Sequence, residues 1–282
     1  MTVDNAIFDQ ELSAKNFTML RSFIEKSCGI KLADTKKSMV EGRLRKRIRA
    51  LGMSGYKEYL DYVMALENGA AEQLHLIDVI TTNKTEFFRE NNHFESMTNQ
   101  ILPLLADKGF GSLQQLKLWS CASSTGEEPY TMAMVMAEFF GIRGNFAVYA
   151  TDINTAVLET GRKAIYTEEK AQSIPFDLKK KYMLRSVERA DKLVRFRPEI
   201  RSKVKFARNN LKENKYVVPE KIDIAFCRNV IIYFDTPTQE MILNKICSYI
   251  RPGGYLFLGH SESVHGMTLP LKTFSPTIYI RT

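Results

Sequence analysis

The sequence lacks the features that mark several large classes of protein. No apolar run in its 282 residues approaches the ~20 residues that a transmembrane helix needs. The first residues show no basic-then-apolar signal pattern. Its cysteines are scattered and form no CxxC pair, which argues against a disulfide scaffold and a zinc ribbon. They are Cys28, Cys121, Cys227 and Cys247. We therefore expect a cytoplasmic protein with buried thiols.

Signatures for nucleotides and metals are missing as well. Neither a GxGxxG fingerprint nor a GxxxxGK[ST] loop occurs, which argues against a dehydrogenase and an NTPase. Of the four histidines, His75 and His93 are expected on helix surfaces and His260 in a strand-end turn. His265 has no partner at ligand spacing. We predict no metal site.

The composition is globular, with an excess of positive charge. Apolar residues make up 44% and charged residues 26%, which argues against a disordered chain. Lys and Arg number 40 against 32 Asp and Glu, so the formal net charge is +8. An acidic partner is implied, and nucleic acid, an anionic membrane and an acidic protein surface all satisfy it. At about 150 residues per domain, the length suggests two domains.

Helical periodicity dominates residues 1–95. Apolar residues recur at three- and four-residue steps in four stretches, and no strand pattern interrupts them. Gly29 ends the first stretch, Gly52 follows the second, and Ser54 is a candidate N-cap for the third. The apolar positions are Phe17, Leu20, Phe23, Ile24 and Cys28; Val40, Leu44, Ile48 and Leu51; Tyr59, Leu60, Val63 and Leu66; and Leu74, Ile77 and Ile80. We predict a small helical domain.

Strands and helices alternate in the rest of the chain, which predicts an open, mostly parallel α/β sheet. Helix starts are expected near Pro129, Asn154 and Thr236, and a turn at Arg251–Gly254. The strand candidates are Leu113–Ala122, Phe146–Ala150, Val204–Ala207, Ile222–Cys227, Tyr255–Leu258 and Thr277–Arg281.

A charged stretch interrupts this alternation. Residues 193–197 alternate like a solvated strand. We interpret residues 163–203 as an insertion that forms a small antiparallel β-subdomain.

Three loops after predicted strands carry unusual residues. In open α/β sheets, ligands bind outside the carboxyl ends of the strands. Glu127 and Glu128 lie at a helix start, Asp152 ends a strand, and Cys227–Val230 follows another. Singly, each has an ordinary explanation, such as a helix cap or a helix-dipole partner. Together they favour a nucleoside ligand bearing a cation, which S-adenosylmethionine fits better than an anionic dinucleotide.

Five segments, in order, resemble the chemotaxis receptor methyltransferases of the CheR family. They are Thr82–Arg89, Ser123–Tyr130, Thr151–Ile153, Phe226–Asp235 and Leu258–Glu262. The resemblance covers nearly the whole chain. It implies an all-helical N-terminal domain with linker (1–95) and a Rossmann-like S-adenosylmethionine-dependent methyltransferase domain (96–282) carrying the inserted β-subdomain. It also implies methyl transfer to glutamate side chains on cytoplasmic helices of chemoreceptors in chemotaxis adaptation. The products would be glutamate methyl esters and S-adenosylhomocysteine.

The resemblance also implies a set of site residues. By analogy, Asp152 would hold the ribose and Glu127 would lie near the cationic methionine part. Arg89 would orient the incoming carboxylate as a planar fork, and Tyr233 would line the methyl channel or simply pack beside Phe234. The cofactor contacts carried over by motif are Asn83, Thr85, Arg89, Glu127, Asp152, Asn210, Leu211, Asn229 and Val230.

One predicted helix carries a dense set of cations, which are Arg43, Arg45, Lys46, Arg47 and Arg49. Its apolar stripe packs inward, so the charges are expected to project outward. The ordinary interpretation is a solvated face. The resemblance implies instead that this helix docks an acidic receptor helix, with Arg43 and Arg49 as the first contacts, and that receptor arrays at the membrane recruit the protein. Such docking weakens with salt.

The inserted segment departs from part of the family. In some members this subdomain clamps a C-terminal receptor peptide by strand addition, and those members carry a glycine-rich turn there. Residues 186–192 contain no glycine, which counts against peptide tethering.

Two other functions compete with this one. A nucleic-acid methyltransferase would also combine a cofactor site with a basic surface, but its Asn/Asp-Pro-Pro-aromatic motif is replaced here by Cys227–Val230. A receptor-array adaptor would bind the cofactor only as a regulator, and the intact set of cofactor positions argues against it.

Overall fold

The computed structural model describes residues 11–65 and 69–282, and the chain divides into two units. The first comprises the chain up to Thr82 together with Tyr233–Asp235. The second comprises Asn83–Ile232 and Thr236–Thr282. In the described residues, no helix has the length and apolar character needed to cross a membrane.

The first unit is helical, as the periodicity predicts. Its helices are α1 (Ala14–Cys28), α2 (Lys37–Ala50), α3 (Tyr56–Met64) and α4 (Gly69–Ile80), with a 3-10 turn at Asp34–Lys36. The apolar stripe of α2 is fully buried, and α1 ends at Gly29, whose φ of 79° suits a glycine.

One predicted cap in this unit is wrong. Gly55, not Ser54, is the N-cap of α3. Ser54 donates both its N–H and its hydroxyl to the Glu58 carboxylate, so it still orders the helix start. Leu66, assigned by its spacing to the same helix, lies outside the described residues.

The second unit is built on strands that alternate with helices. Its strands are β1 (Leu116–Ser120), β2 (Phe146–Asp152), β3 (Ile165–Thr167), β4 (Met183–Arg185), β5 (Leu193–Phe196), β6 (Val204–Arg208), β7 (Ile222–Cys227), β8 (Ile250–Leu258), β9 (Leu271–Ser275) and β10 (Ile278–Arg281). Its helices are α5 (Asn91–Ser96), continued by a π-helical turn (Met97–Ile101), α6 (Leu102–Ala106), α7 (Glu127–Phe140), α8 (Thr155–Lys163), α9 (Phe176–Tyr182), α10 (Pro198–Arg201) and α11 (Thr236–Tyr249). Short 3-10 turns lie at Lys170–Ser173, Arg189–Asp191 and Ile231–Tyr233.

The main sheet has the strand order β6-β2-β1-β7-β8-β10-β9. Strands β6, β2, β1, β7 and β8 run parallel, and β10 is antiparallel to both of its neighbours. All six residues of β7 are buried, as expected for a parallel strand covered on both faces. Because the order reverses at β1, the loops after β2, β1 and β7 meet at one edge of the sheet. We call this edge, with the loops that follow its parallel strands, the carboxyl edge.

Three features differ from the expected strands. The inserted segment forms an antiparallel sheet as predicted, with the order β3-β5-β4, but Val194 and Phe196 of β5 are buried rather than solvated. The predicted turn Arg251–Gly254 lies inside β8, where the pairing with β7 shifts register. Strand β9 has no counterpart in the prediction.

Candidate functional site at the carboxyl edge

Asp152 is the last residue of β2 and joins two loops of the carboxyl edge. Its side chain is buried, and Oδ2 accepts a hydrogen bond from the Ser124 N–H at 2.8 Å. The other oxygen accepts from the Asn154 N–H at 2.9 Å. Asn154 also caps α8 as predicted, since its side chain accepts from the Val157 N–H. The carboxylate is therefore held in one orientation at the end of β2.

Glu127 begins α7 and is 1% exposed. The Thr125 hydroxyl donates to its Oε2 at 2.6 Å, and the Lys170 ammonium lies 3.4 Å from Oε1. The preceding Gly126 has a φ of 101°, and a Cβ there would lie 2.8 Å from the Tyr166 hydroxyl. A glycine is thus required for the turn that brings the carboxylate to the edge.

The segment 83–90 lies on the same edge without regular structure. Phe87 anchors it in the core, with its ring 5.0 Å from that of Tyr166. The Asn83 carbonyl accepts from the Ser124 hydroxyl at 3.0 Å, which ties the segment to the loop that holds Asp152. Arg89 donates from Nη1 to the Lys84 carbonyl at 3.1 Å. Thr85 is half-buried in this segment.

The loop after β7 is held by a buried carboxylate that the sequence analysis did not single out. Glu262 accepts four backbone N–H groups, from Gly259 at 2.6 Å, Asn229 at 2.9 Å, Val230 at 2.8 Å and Ile231 at 2.9 Å. Burial raises the pKa of Glu262, and the four donors oppose that shift. Asn229 takes a φ of 57°, so the carboxylate fixes a loop that would otherwise be strained.

The loop after β6 completes the edge. Asn210 and Leu211 are both buried there, and the Asn210 side chain accepts from the Lys212 N–H at 3.0 Å. The Asn209 N–H donates to the Asp152 carbonyl at 2.9 Å. The structure therefore joins the loops after β1, β2 and β6 and the segment 83–90 by direct hydrogen bonds.

A second polar cluster lies behind these loops, and here a prediction is wrong. His93 is not on a helix surface: it is 1% exposed. Its Nδ1 faces the Arg228 guanidinium at 3.0 Å, and its Nε2 lies 2.7 Å from the Thr277 hydroxyl. Because a guanidinium only donates, Nδ1 accepts and we assign the proton to Nε2. Burial, together with the Arg228 cation, lowers the pKa of His93 to about 4.

This cluster also resembles a metal site. Ligand atoms of Glu90, His93 and His260 lie within 4.8 Å of one another. The Arg228 guanidinium, however, already donates to Nδ1 of His93 and lies 3.8 Å from the Glu90 carboxylate. Since a fixed cation already contacts two of the three residues, the group fits an internal ion pair better than a metal site.

The proposed docking cations differ in their surroundings. Arg43 donates to the carbonyls of Val79, Ile80 and Thr81 at the end of α4. These bonds cap a helix, and they show that a cation in this set already has a structural task.

Of the other four cations in this set, two bond to side chains of the same unit and two are exposed. Arg47 pairs through two nitrogens with the buried Glu72 carboxylate, and Arg45 lies 3.2 Å from the Tyr56 hydroxyl. Lys46 and Arg49 are exposed.

Tyr233 belongs to the first unit. Its side chain is half-buried, and its carbonyl accepts from the Lys31 N–H at 2.9 Å.

Comparison with known proteins gives consistent matches along the chain. Residues 15–81 match the CheR methyltransferase, all-alpha domain, and residues 83–280 match the CheR methyltransferase, SAM binding domain. The chain is 39% identical over 269 residues to a chemotaxis protein methyltransferase of Salmonella typhimurium, covering 95% of this chain and 90% of that protein. The corresponding protein of Escherichia coli is 38% identical over 269 residues, covering 95% and 91%. That of Borreliella burgdorferi is 36% identical over 259 residues, covering 90% of each chain.

Proposed function

The chain belongs to the CheR methyltransferase family, and on that premise we propose that it methylates glutamate side chains of chemoreceptors, with S-adenosylmethionine as methyl donor and S-adenosylhomocysteine as product. At the coarser level it is an S-adenosylmethionine-dependent methyltransferase of chemotaxis. The observation that carries the finer proposal is the meeting of two buried carboxylates, Glu127 and Asp152, with the segment of Arg89 at one sheet edge. Such an edge suits a cationic donor and an anionic acceptor side by side.

The cofactor contacts follow from the chemistry of the donor set. Glu127 would take the cofactor's ammonium group, and Asp152 would accept from the ribose hydroxyls. The remaining proposed contacts are Asn83, Thr85, Arg89, Asn210, Leu211, Asn229 and Val230. The burial of Glu127 and Asp152 at one sheet edge supports this assignment, because attraction between opposite charges is stronger where water is excluded.

The proposed reaction requires no proton transfer by the protein. A glutamate side chain in water has a pKa of about 4.3 and is ionised at neutral pH, so no general base is required. The bound cofactor supplies the methyl group, which leaves the sulfonium sulfur for the carboxylate oxygen. Arg89 would hold that carboxylate with its fork of N–H donors, and Tyr233 is the second proposed catalytic residue. Positioning can contribute about 7–11 kcal/mol to such a transfer.

Receptor recognition is assigned to α2. The five cations of this helix would face an acidic receptor helix, and attraction of this kind weakens with salt. Lys46 and Arg49 are the exposed members, so they offer the cleanest test. Arg43 and Arg47 also stabilise the helical unit, and variants there would change folding and docking together. Recruitment to receptor arrays in the cytoplasm follows from the same docking.

The insertion offers a second surface for a receptor. Among the described strands, β3 and β4 each pair only with β5, so each has an edge to which a receptor peptide could add. The absence of glycine in residues 186–192 still counts against such tethering.

One labelling experiment tests this function. Receptor-containing membranes are incubated with the protein and methyl-labelled S-adenosylmethionine, and the products are then treated with base. We expect receptor-bound label that base releases as methanol, since carboxyl methyl esters hydrolyse. Arg89→Ala should lower turnover by ~100-fold through lost positioning. Arg49→Ala should mainly raise the half-saturating receptor concentration, by roughly two- to fivefold for one exposed charge.

Other outcomes identify the competing functions. Base-stable label on nucleic acid would indicate a nucleic-acid methyltransferase. Cofactor binding without any labelled product, over a range of receptors, would indicate a regulatory adaptor. Either result contradicts the proposal.

A further inference from the structure

Arg228, directly after β7, has no part in the cofactor contacts or docking surface proposed above. Its side chain is 2% exposed, and a buried guanidinium is costly unless it is paired and hydrogen-bonded. All three of its nitrogens have partners. Nε donates to Glu128 Oε2 at 2.9 Å, Nη1 to His93 Nδ1 at 3.0 Å, and Nη2 to the backbone carbonyl of Arg89 at 2.7 Å.

These partners lie on separate parts of the chain. The Glu128 carboxylate, at the start of α7, also accepts from the Ser120 hydroxyl at the end of β1 at 2.7 Å. His93, on α5, continues to the Thr277 hydroxyl in the turn before β10. One guanidinium therefore links the ends of β1 and β7 to helices α5 and α7 and to the segment 83–90.

The third bond of Arg228 bears on the proposed chemistry. Arg89 lies between two residues with positive φ, Phe88 at 57° and Glu90 at 54°, so no helix or strand fixes its backbone. The bond from Arg228 to its carbonyl connects it to the rigid end of β7. A shift of this carbonyl would turn the Arg89 side chain away from its place on the carboxyl edge.

We propose that Arg228 is a positioning residue for methyl transfer: its guanidinium holds the backbone of Arg89 against the carboxyl edge, so that the Arg89 side chain meets the substrate. This inference rests on the proposed function, which places Arg89 in the reaction. Arg228 itself does not contact substrate, because it is buried and its nitrogens point to Glu128, His93 and Arg89.

An arginine is required at this position by geometry. Its planar fork sends donors in three directions, while the rings of Phe94 and Phe226 lie 5.5 and 5.3 Å from the guanidinium carbon. A lysine brings the charge but cannot reproduce the fixed fork. Arg228→Lys should therefore keep the ion pair with Glu128 and lose part of the hold on Arg89.

The variants distinguish the loss of the Arg228 charge from the loss of its hold on the Arg89 backbone. Arg228→Met alone leaves the Glu128 charge without its partner, so the principal variant is the double change Glu128→Gln/Arg228→Met, which removes both charges. Arg228→Lys is the conservative variant. Arg251→Met is the control, because it removes the arginine of a second arginine–carboxylate pair, which joins Arg251 of β8 to Asp223 at the opposite end of β7.

Two readouts are measured on the full chain, below the melting temperature of every variant. The first is turnover with receptor membranes. The second is the Kd for S-adenosylhomocysteine by calorimetry, which needs no turnover. We expect the double variant to lose about 100-fold in kcat, the cost of a displacement of roughly 1 Å. We expect Arg228→Lys to fall between it and the wild type, and Arg251→Met to retain wild-type kcat.

Each result decides the proposal. Wild-type turnover in the folded double variant would overturn it, and so would an equal loss in Arg251→Met. If the double variant does not fold, Arg228→Lys decides: reduced kcat at a melting temperature no lower than that of Arg251→Met supports positioning, and unchanged kcat overturns it. If the wild type itself methylates no receptor, the proposed function fails. The Kd for S-adenosylhomocysteine then still decides: a rise confined to the Arg228 variants supports a hold on the segment 83–90, and no rise overturns it.

Discussion

The two ends of β7 each carry an arginine–carboxylate pair, and the two pairs are built in opposite ways. At the amino end the carboxylate is the deeply buried member: the side chain of Asp223 is 2% exposed and that of Arg251 is 20% exposed. At the carboxyl end the guanidinium is the buried member: Arg228 is 2% exposed and Glu128 is 12% exposed. At the carboxyl end the buried Arg228 has three hydrogen-bond partners, and at the amino end the buried Asp223 accepts two hydrogen bonds.

The two ion pairs stabilise different parts of the second unit: the pair of Asp223 connects strands of the sheet, and the pair of Arg228 holds a loop. Asp223 accepts from the Lys117 N–H of β1 as well as from Arg251, so its bonds stay within the sheet. Arg228 reaches out of the sheet to the carbonyl of Arg89. A buried acceptor thus secures neighbouring strands, whereas a buried fork of donors can place a segment that has no regular structure.

We expect the largest difference in stability between the two pairs when each arginine is replaced by methionine. Arg228→Met removes a buried guanidinium and its bonds to Glu128, His93 and the Arg89 carbonyl, and should lower the free energy of unfolding by about 3–5 kcal/mol. Arg251→Met should cost less, because water reaches that pair and Asp223 can take up a proton, its pKa being raised by burial. Urea unfolding of both variants measures the two losses. Equal losses would contradict the asymmetry.

The second prediction is that stability depends on pH through His93, which contacts Arg228 at the carboxyl end of β7. His93 titrates near 6.5 when unfolded, but its folded pKa is about 4, with Arg228, Glu90 and His260 as the charged or titratable neighbours that shape it. Between these values the unfolded chain binds the extra proton, so stability is full above pH 6.5 and falls as pH is lowered toward 4. From pH 7.5 to 5 this site should cost the wild type about 2 kcal/mol.

The matched variants isolate that residue. His93→Gln should show a smaller loss over the same pH range, because the amide does not titrate. His75→Gln, on the exposed face of α4, should behave like the wild type. Thermal or urea unfolding at the two pH values provides the measurement, and identical pH dependence in all three proteins would exclude His93 as the source.

The smallest effect is expected from the conservative changes. Arg251→Lys should alter the free energy of unfolding by less than about 1 kcal/mol, because a single ammonium can still meet Asp223. Arg228→Lys should cost about 1 kcal/mol more, since an ammonium cannot reproduce three directed bonds. The difference between the two unfolding curves is the quantity to compare, and its absence would mean that charge alone matters at both ends.

Much of the fold is predictable from local patterns. The helices of the first unit and strands such as Ile222–Cys227 follow from periodicity, because burial of one face or of both faces leaves a direct trace in the sequence. Strand β9 leaves no such trace: it is an edge strand of five residues with none of them fully buried. The turn predicted at Arg251–Gly254 fails for a related reason, since Pro and Gly signal a break that pairing with β7 overrides through a shift of register.

Placement at the carboxyl edge was predictable where it depends on a residue's own strand or helix end, as with Asp152 at the end of β2 and Glu127 at the start of α7. A residue's role was not predictable where it depends on a distant partner. His93 has polar neighbours in sequence, so it suggests a surface, but its partners lie 135 and 184 residues away. Arg47 meets Glu72 from another helix in the same way. Spacing within one element carries no information about such pairs.

The position of Glu262 in the sequence determines when the loop after β7 can fold during synthesis. Its carboxylate is the shared acceptor for the N–H groups of residues 229–231, which are synthesised some thirty positions earlier. When only the chain up to β7 has been synthesised, the loop after β7 lacks its acceptor. The left-handed conformation of Asn229 is then not stabilised by the hydrogen bond to Glu262. The carboxyl edge is therefore completed only after β8 and the turn that follows it have folded.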